Sequence, residues 1–362
     1  MAFPNKPIAH LLGSNGPVHA LAYSASPGTY ILAGSSDRSI RLYNPAPSTT
    51  IHSSSHLSKK SPPSSSPIPE GRLIQTYTAH GYEVLSLSVS TDNARFASAG
   101  GDRSVFLWDV STAQTLRRFG AGGTSGHTAR VNAVCFAGEE DSVLISGGLD
   151  TTVRLWDVKS GAQKPMQILQ DAKDAISSIV VCGEQIVTGS VDGRVRSYDV
   201  RMGRCTTDVI GPSITGLYPT KDGKAVLVSG LDSKVRLMDR ESGECLKTYS
   251  DPGFKNEELR VQAILGGKEQ YVLAGDEMTA TQGQNGEGRV WVWDILTGEK
   301  KAEMQVPWGP IGSEPRKKVV GKDGKEKERS NVISCLAWRE GGFGDQFCAS
   351  GTSGIVTVYG YQ

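Results

Sequence analysis

Two groups of side chains carry the residue types of nucleophilic catalysis: His80, Ser98 and Asp102, and again His127, Ser146 and Asp150. A carboxylate that orients an imidazole, which in turn takes the proton of a serine hydroxyl, is the arrangement used for acyl transfer. That chemistry also needs an exposed, activated hydroxyl and donors for a developing oxyanion. Nothing in the sequence supplies them, and the same set occurring twice at nearly the same spacing points to structure, so no catalytic residue is assigned. The remaining histidines leave none for a site: His10 and His19 lie in or beside the first strands, and His52 and His56 fall in a Ser/Pro-rich stretch. Gly120, Gly122, Gly123 and Gly126 could cradle a phosphate, but no Gly-Lys-Ser/Thr ending and no helix follows them. They read as a flexible connection. Cys135, Cys182, Cys205, Cys245, Cys335 and Cys348 form no CxxC pair and have no histidine neighbours, so neither a metal nor a cofactor is expected. They are expected to be buried or half-buried reduced thiols, which places the chain in the cytoplasm and nucleus.

The bulk properties exclude several functions. With 38% hydrophobic residues, 21% charged residues and a net charge of +1 over 362 residues, the chain can bury a substantial core. It lacks the basic excess of a protein that coats duplex nucleic acid, so direct nucleic-acid binding is disfavoured. Met1 to Pro7 carry no apolar signal core, and no apolar run approaches the length of a membrane span. Secretion and membrane insertion are disfavoured, which leaves proteins as partners. The 43 glycines imply many tight turns and hence many short strands.

Those strands recur in register. Residues 98–110 read SAGGDRSVFLWDV, 146–158 read SGGLDTTVRLWDV and 188–200 read TGSVDGRVRSYDV. A turn residue precedes a large side chain by six positions seven times over. The pairs are Asp37 and Tyr43, Asp102 and Trp108, Asp150 and Trp156, Asp192 and Tyr198, Asp232 and Met238, Glu287 and Trp293, and Ser353 and Tyr359. Alternation within each segment is the period of a half-buried strand. Strands before and after it bring each unit to four, and seven four-stranded units close radially without a long exposed edge.

This pattern resembles the WD-repeat family, which implies an all-β, seven-bladed WD-repeat β-propeller over 1–362 as a single domain. The segment 8–14 resembles an outer strand without its own blade, so the last blade is expected to be closed by the N-terminal strand. Three stretches exceed the repeat: a Ser/Pro-rich insert at 48–70, a short loop insert at 277–286 and a Lys-rich insert at 307–330. The resemblance also implies that His80, Ser98, Asp102 and Trp108, and likewise His127, Ser146, Asp150 and Trp156, are hydrogen-bonded structural tetrads. In that geometry the loops between blades share a face with the turns between second and third strands. Tyr82, Arg130, Asp174, Arg260 and Asn331, which lead into first strands, are nominated there as a partner-contact ring.

Other features admit two readings each. Ser61 and Ser66 precede prolines and are candidate phosphorylation sites in what otherwise reads as an unmodified linker. Residues 316–329 carry seven Lys or Arg against three acids, suiting either an import or RNA-contact patch or a solvated loop, the latter being favoured. Trp291 stands where four units place Arg (Arg41, Arg154, Arg196, Arg236). It would serve as an exposed anchor or pack on the neighbouring blade, and packing is favoured.

The segments AHGYEVLSL (79–87), DAKDAISSI (171–179) and GSVDGRVRSYDVRMGR (189–204) resemble the mitogen-activated protein kinase organizer family of WD-repeat scaffolds. That resemblance implies a non-enzymatic adaptor, monomeric within larger complexes, whose partners are MAP-kinase pathway components and spliceosomal proteins. A rival reading uses Tyr198-Asp199-Val200-Arg201. This run resembles the signature by which some propellers dock on a cullin-type ubiquitin ligase as substrate receptors, with Arg201 as anchor. The plain alternative is that Arg201 pairs with an acidic neighbour.

Overall fold

The computed structural model describes residues 3–47, 68–121, 125–277, 287–310, 319–320, 326–327, 331–339 and 344–361. Among them, seven four-stranded antiparallel sheets form the blades of a closed propeller. Blade 1 runs from its innermost strand Val18–Tyr23 to its outermost strand Gly71–Thr78, and blade 2 from Val84–Val89 to Thr115–Phe119. Blade 3 runs from Val131–Ala137 to Gln167–Leu169, and blade 4 from Ile176–Cys182 to Arg204–Val209. Blade 5 spans Ile214–Pro219 to Cys245–Tyr249, and blade 6 spans Ala263–Gly266 to Lys300–Val306. Blade 7 takes Ile333–Trp338, Phe347–Gly351 and Val356–Gly360 from the end of the chain. Its fourth strand is Lys6–Leu11, paired antiparallel from Lys6 opposite Gly360 to Leu11 opposite Val356.

The six-residue spacing has a simple structural meaning. The large residue ending each motif lies on the third strand of its blade, and Tyr43, Trp108, Trp156, Tyr198, Met238, Trp293 and Tyr359 are all buried. They feed seven hydrophobic clusters, each joining two adjacent blades. Between blades 1 and 2, Tyr77 packs on the edge of Phe96 at 4.8 Å, while Phe96 stacks on Trp108. Full burial of a side chain of this size is worth about 1.5–3 kcal/mol, so the contacts between sheets rather than any one sheet hold the ring.

The innermost strands carry a feature absent from the sequence reading. In six blades the register slips near the start of the strand, between Val18 and Ala20, Val84 and Ser86, Val131 and Ala133, Ile176 and Ser178, Ile214 and Gly216, and Ile333 and Cys335. Each slip is a β-bulge that leaves one residue unpaired and re-aims it. Glycine is required where the second strand meets this lead-in: a Cβ at Gly100 would run into the Glu83 carbonyl, and one at Gly351 into that of Val332.

One expectation is corrected. Cys205 and Cys245 are exposed rather than buried, because both sit on outermost strands, most of whose side chains face solvent. Cys182, Cys335 and Cys348 are buried, and Cys135 is partly so. Burial pushes the thiols of Cys135 and Cys348 up to about 12, leaving them protonated and unreactive at neutral pH. Ser61, Ser66, His52, His56, Gly122, Gly123 and most of the three inserts lie outside the described residues. No helix among the described residues is long and apolar enough to cross a membrane.

Deleting residues 1–12 removes the strand that closes blade 7 and takes Phe3 from its contacts with Tyr271, Trp338 and Phe347. The bared edge is expected to lower the melting temperature and cause concentration-dependent self-association. Scanning fluorimetry and sedimentation velocity check both. An unchanged melting temperature with a monomeric profile would refute the closure.

Candidate functional site

In blade 2, His80 Nδ1 lies 2.5 Å from Asp102 Oδ2, and His80 Nε2 lies 2.7 Å from Ser98 Oγ, which accepts the Trp108 indole N–H at 2.8 Å. Blade 3 repeats this: His127 Nδ1 is 2.9 Å from Asp150, His127 Nε2 is 2.8 Å from Ser146 Oγ, and Trp156 donates to that hydroxyl at 2.8 Å. An ionised aspartate can only accept, so Nδ1 carries the proton and Nε2 accepts from the serine. Every polar atom of the chain from Asp to Trp is thereby used. Ser98 and Ser146 are fully buried with their oxygens committed to the indoles, which keeps them from acting as nucleophiles.

The aspartates do more than orient a ring. Asp102 also accepts the Gly81 N–H at 2.7 Å, and Asp150 that of Thr128 at 3.0 Å, so each ties its turn to the loop arriving from the preceding blade. Burial alone would raise these carboxyls, but hydrogen bonds from histidine and from the loop N–H outweigh it and hold both below their ordinary value.

Where histidine is missing, arginine replaces it. Arg41, Arg196 and Arg236 pair with the turn residues Asp37, Asp192 and Asp232 four positions earlier, and the first two at 2.7 and 2.6 Å. The same loop contact persists from Asn15 N–H to Asp37 and from Lys173 N–H to Asp192. The four arginines noted in the sequence are therefore partners of the turn carboxylate, a role their spacing alone left open. Arg154 is the fourth, 3.7 Å from Asp150.

Blade 6 departs from this scheme. Trp291 is buried, stacked 6.0 Å from Trp293 and edge-on to Phe254, so it packs between blades 5 and 6 and offers no exposed anchor. Its indole N–H reaches Asp276 at 2.9 Å, and Asp276 also pairs with Arg289 at 2.9 Å and accepts the Lys255 N–H. Burial raises the Asp276 carboxyl despite these partners. Next to it, the carboxylate of buried Glu277 accepts the backbone N–H groups of Glu257, Glu258 and Leu259. Asp276 and Glu277 are thus functional residues of the fold that the sequence reading missed, since it placed the turn at Glu287. Trp293 Nε1, by contrast, is buried without a partner among the described residues.

The nominated contact ring divides. Tyr82 is 61% exposed, and Arg130 and Asp174 are also exposed. Asn331 is corrected: it is fully buried, accepts the Ser353 N–H at 3.2 Å and donates toward the Val306 and Pro307 carbonyls, so it stabilises the blade 7 turn and cannot meet a partner. Arg260 turns inward, donating from Nη1 to the Asn132 carbonyl at 2.9 Å and from Nε to that of Thr215 at 3.3 Å. Those acceptors belong to the unpaired bulge residues of blades 3 and 5. Asn132 in turn donates to the Ile176 carbonyl and Thr215 to that of Val261, stitching blade 3 to blade 4 and blade 5 to the lead-in of blade 6 at the channel mouth. Arg201 lies away from this ring, 74% exposed and 2.5 Å from Glu184.

Comparison with known proteins places this architecture. The family model described as "WD domain, G-beta repeat" matches residues 5–44, 71–109 and 121–157, ending with the second tetrad blade. A Rattus norvegicus protein named WD repeat domain-containing protein 83 is 36% identical over 310 residues, covering 86% of this chain and 84% of the relative. Its Danio rerio namesake is 37% identical over 291 residues, covering 80% and 79%. An uncharacterized WD repeat-containing protein of Schizosaccharomyces pombe is 36% identical over 295 residues, covering 82% and 86%.

Two sets of substitutions probe these networks. Asp150→Ala is expected to cost on the order of 1–3 kcal/mol in urea unfolding, since it strands His127 and the Thr128 N–H. Because folding lowers the Asp150 pKa, its contribution is present above the unfolded-state carboxylate pKa and fades as pH falls toward the folded value. The gap between wild type and Asp150→Asn should therefore narrow in acid, and a gap independent of pH would contradict the assignment. Trp291→Phe should cost more than Trp293→Phe, because only the first takes a hydrogen-bond donor away from a buried carboxylate. Thermal melts in the reverse order would count against the Asp276 network.

Proposed function

Because the chain belongs to the WD-repeat family, together with WD repeat domain-containing protein 83, we propose that it is a non-enzymatic scaffold that assembles MAP-kinase cascade components and associates with pre-mRNA splicing complexes. A WD-repeat propeller is typically an interaction module, and that coarser role rests on the family itself. The finer reading draws on the resemblance of 79–87, 171–179 and 189–204 to the mitogen-activated protein kinase organizer family. One observation carries the scaffold reading: the tetrad and turn-pair polar groups are consumed inside the ring, while Tyr82, Arg130 and Asp174 stand exposed on separate blades. Rigid, separately mounted contacts let several partners bind at once with little ordering cost. The protein works in this reading in both cytoplasm and nucleus, as a single copy within larger assemblies.

The cullin-ligase reading through Tyr198-Asp199-Val200-Arg201 draws no support from Arg201, whose guanidinium is engaged by Glu184. Affinity purification of the full-length protein with mass spectrometry, beside Arg201→Ala, separates the two. Recovery of MAP-kinase or spliceosomal proteins by both forms is the expected outcome. A ligase adaptor captured by wild type and lost from the variant, with neither expected class recovered, would replace the scaffold reading.

A further inference from the structure

The mouth of the central channel holds a cavity of about 350 Å³ whose lining includes His19, Arg130, Asn132, Arg260, Gln262 and Ser334. Below it the channel continues as a smaller cavity of about 230 Å³, whose lining mixes Leu21, Leu87 and Val134 with Ser86, Ser178 and Gln262. Arg260 borders both and stands between them. Its guanidinium is held in place by the Asn132 and Thr215 carbonyls, which are neutral acceptors on two other blades.

The charged side chains that line this mouth are cationic, and the Glu83 carboxylate lies near His19. Among the described residues neither Arg130 nor Arg260 forms an ion pair, and no carboxylate lines the upper cavity. Elsewhere the ring answers its buried arginines with acids, as Arg41, Arg154 and Arg196 show. Burial and the like charge of Arg130 push the Arg260 pKa down to about 10, so a cation there stands in an unfavourable field that an arriving anion would relieve. His19 adds no positive charge to this field: burial lowers its pKa, the nearby Glu83 raises it and Arg260 lowers it, and its Nε2 is 2.7 Å from Ser36 Oγ.

We propose that the channel mouth is a carboxylate-binding site, in which an acidic side chain of a partner peptide enters between Arg130 and Arg260. The pocket has the volume for one acidic side chain and its flanking backbone. Arg260, anchored on two carbonyls, supplies a pre-positioned donor, and Arg130 at the exposed rim supplies steering charge. Tyr82 and Asp174 flank the approach on the same face, and it is Arg130 and Arg260 at the centre that draw an acidic segment inward against the Asp174 carboxylate. The proposal deepens the scaffold reading by stating the chemistry of one partner, and it rests on that reading for its biological use.

The test uses full-length protein and two fluorescein-labelled peptides, one of alternating Gly and Glu and one of alternating Gly and Lys, titrated by fluorescence anisotropy at low ionic strength. The Glu peptide is expected to bind and the Lys peptide not to. Arg130→Glu, at an exposed position, should weaken binding about tenfold or more, whereas Arg72→Glu, an equal charge change on the outermost strand of blade 1, should leave it unchanged. Arg260→Met, with its melting temperature measured alongside, should abolish binding. Equal binding of both peptides, an unaffected Arg130→Glu, or an equal loss in Arg72→Glu would overturn the site. Displacement of the Glu peptide by low concentrations of inorganic phosphate would reassign it to a phosphate group. Because the peptides need no cellular partner, failure here alongside successful capture from extract would leave the scaffold reading standing and place its contacts elsewhere.

Discussion

An ionised carboxylate withdrawn from water must be met by donors, and the propeller is organised around meeting it blade by blade. The turn aspartate sits where the second and third strands fold back beneath the loop from the preceding blade. In blades 1 to 4 it holds that loop by accepting a backbone N–H while a cation or imidazole also donates to it. Blades 2 and 3 use histidine, blades 1, 4 and 5 use arginine, and blade 6 moves the carboxylate to Asp276 and brings Arg289 and an indole to it. Blade 7 dispenses with the charge altogether: Asn331 accepts from Ser353, and Thr352 accepts the Val332 N–H. Different side chains thus solve one problem, which is how a blade with little sequence likeness to its neighbours keeps the same turn.

Much of this was legible in the sequence for an identifiable reason. The spacing from turn residue to large side chain is set by the length of one strand, which is local, and so it survives changes such as Trp108 to Met238. The serine, histidine and tryptophan of blades 2 and 3 were legible for the same reason, since each occupies a fixed place in a short segment. The bulges were not legible, because a bulge is a mismatch between two paired strands and neither strand records it alone. Asn331 was misplaced because its position marks the start of a strand but not which way its amide turns. Asp276 was hidden because its motif straddles the insert that follows Glu277, so the turn was counted from Glu287. Cys205 and Cys245 looked apolar in context, yet the outermost strand has only one covered face.

The bulges and the clusters between blades divide the labour. Seven hydrophobic clusters resist separation of neighbouring sheets, whereas the bulge residues turn side chains and carbonyls into the channel mouth, where Asn132 and Thr215 bond to the next blade and receive Arg260. The contacts between neighbouring sheets are apolar. The channel mouth is polar and linked across blades, so Arg260, which leads into blade 6, is tied to blades 3 and 5 at once.

The closure of blade 7 sets a schedule as well as a shape. His10 and Thr357, neighbours across that closure, lie 347 positions apart along the chain. At a synthesis rate of about 5–20 residues per second, the first strand leaves the ribosome tens of seconds before its partner exists. Through that interval a strand with the apolar side chains of Ala9 and Leu11 has no sheet to join. The cell must therefore keep this emerged strand from pairing with a neighbouring nascent chain, and the crowding of ribosomes on one message becomes a physical variable in the yield of this protein.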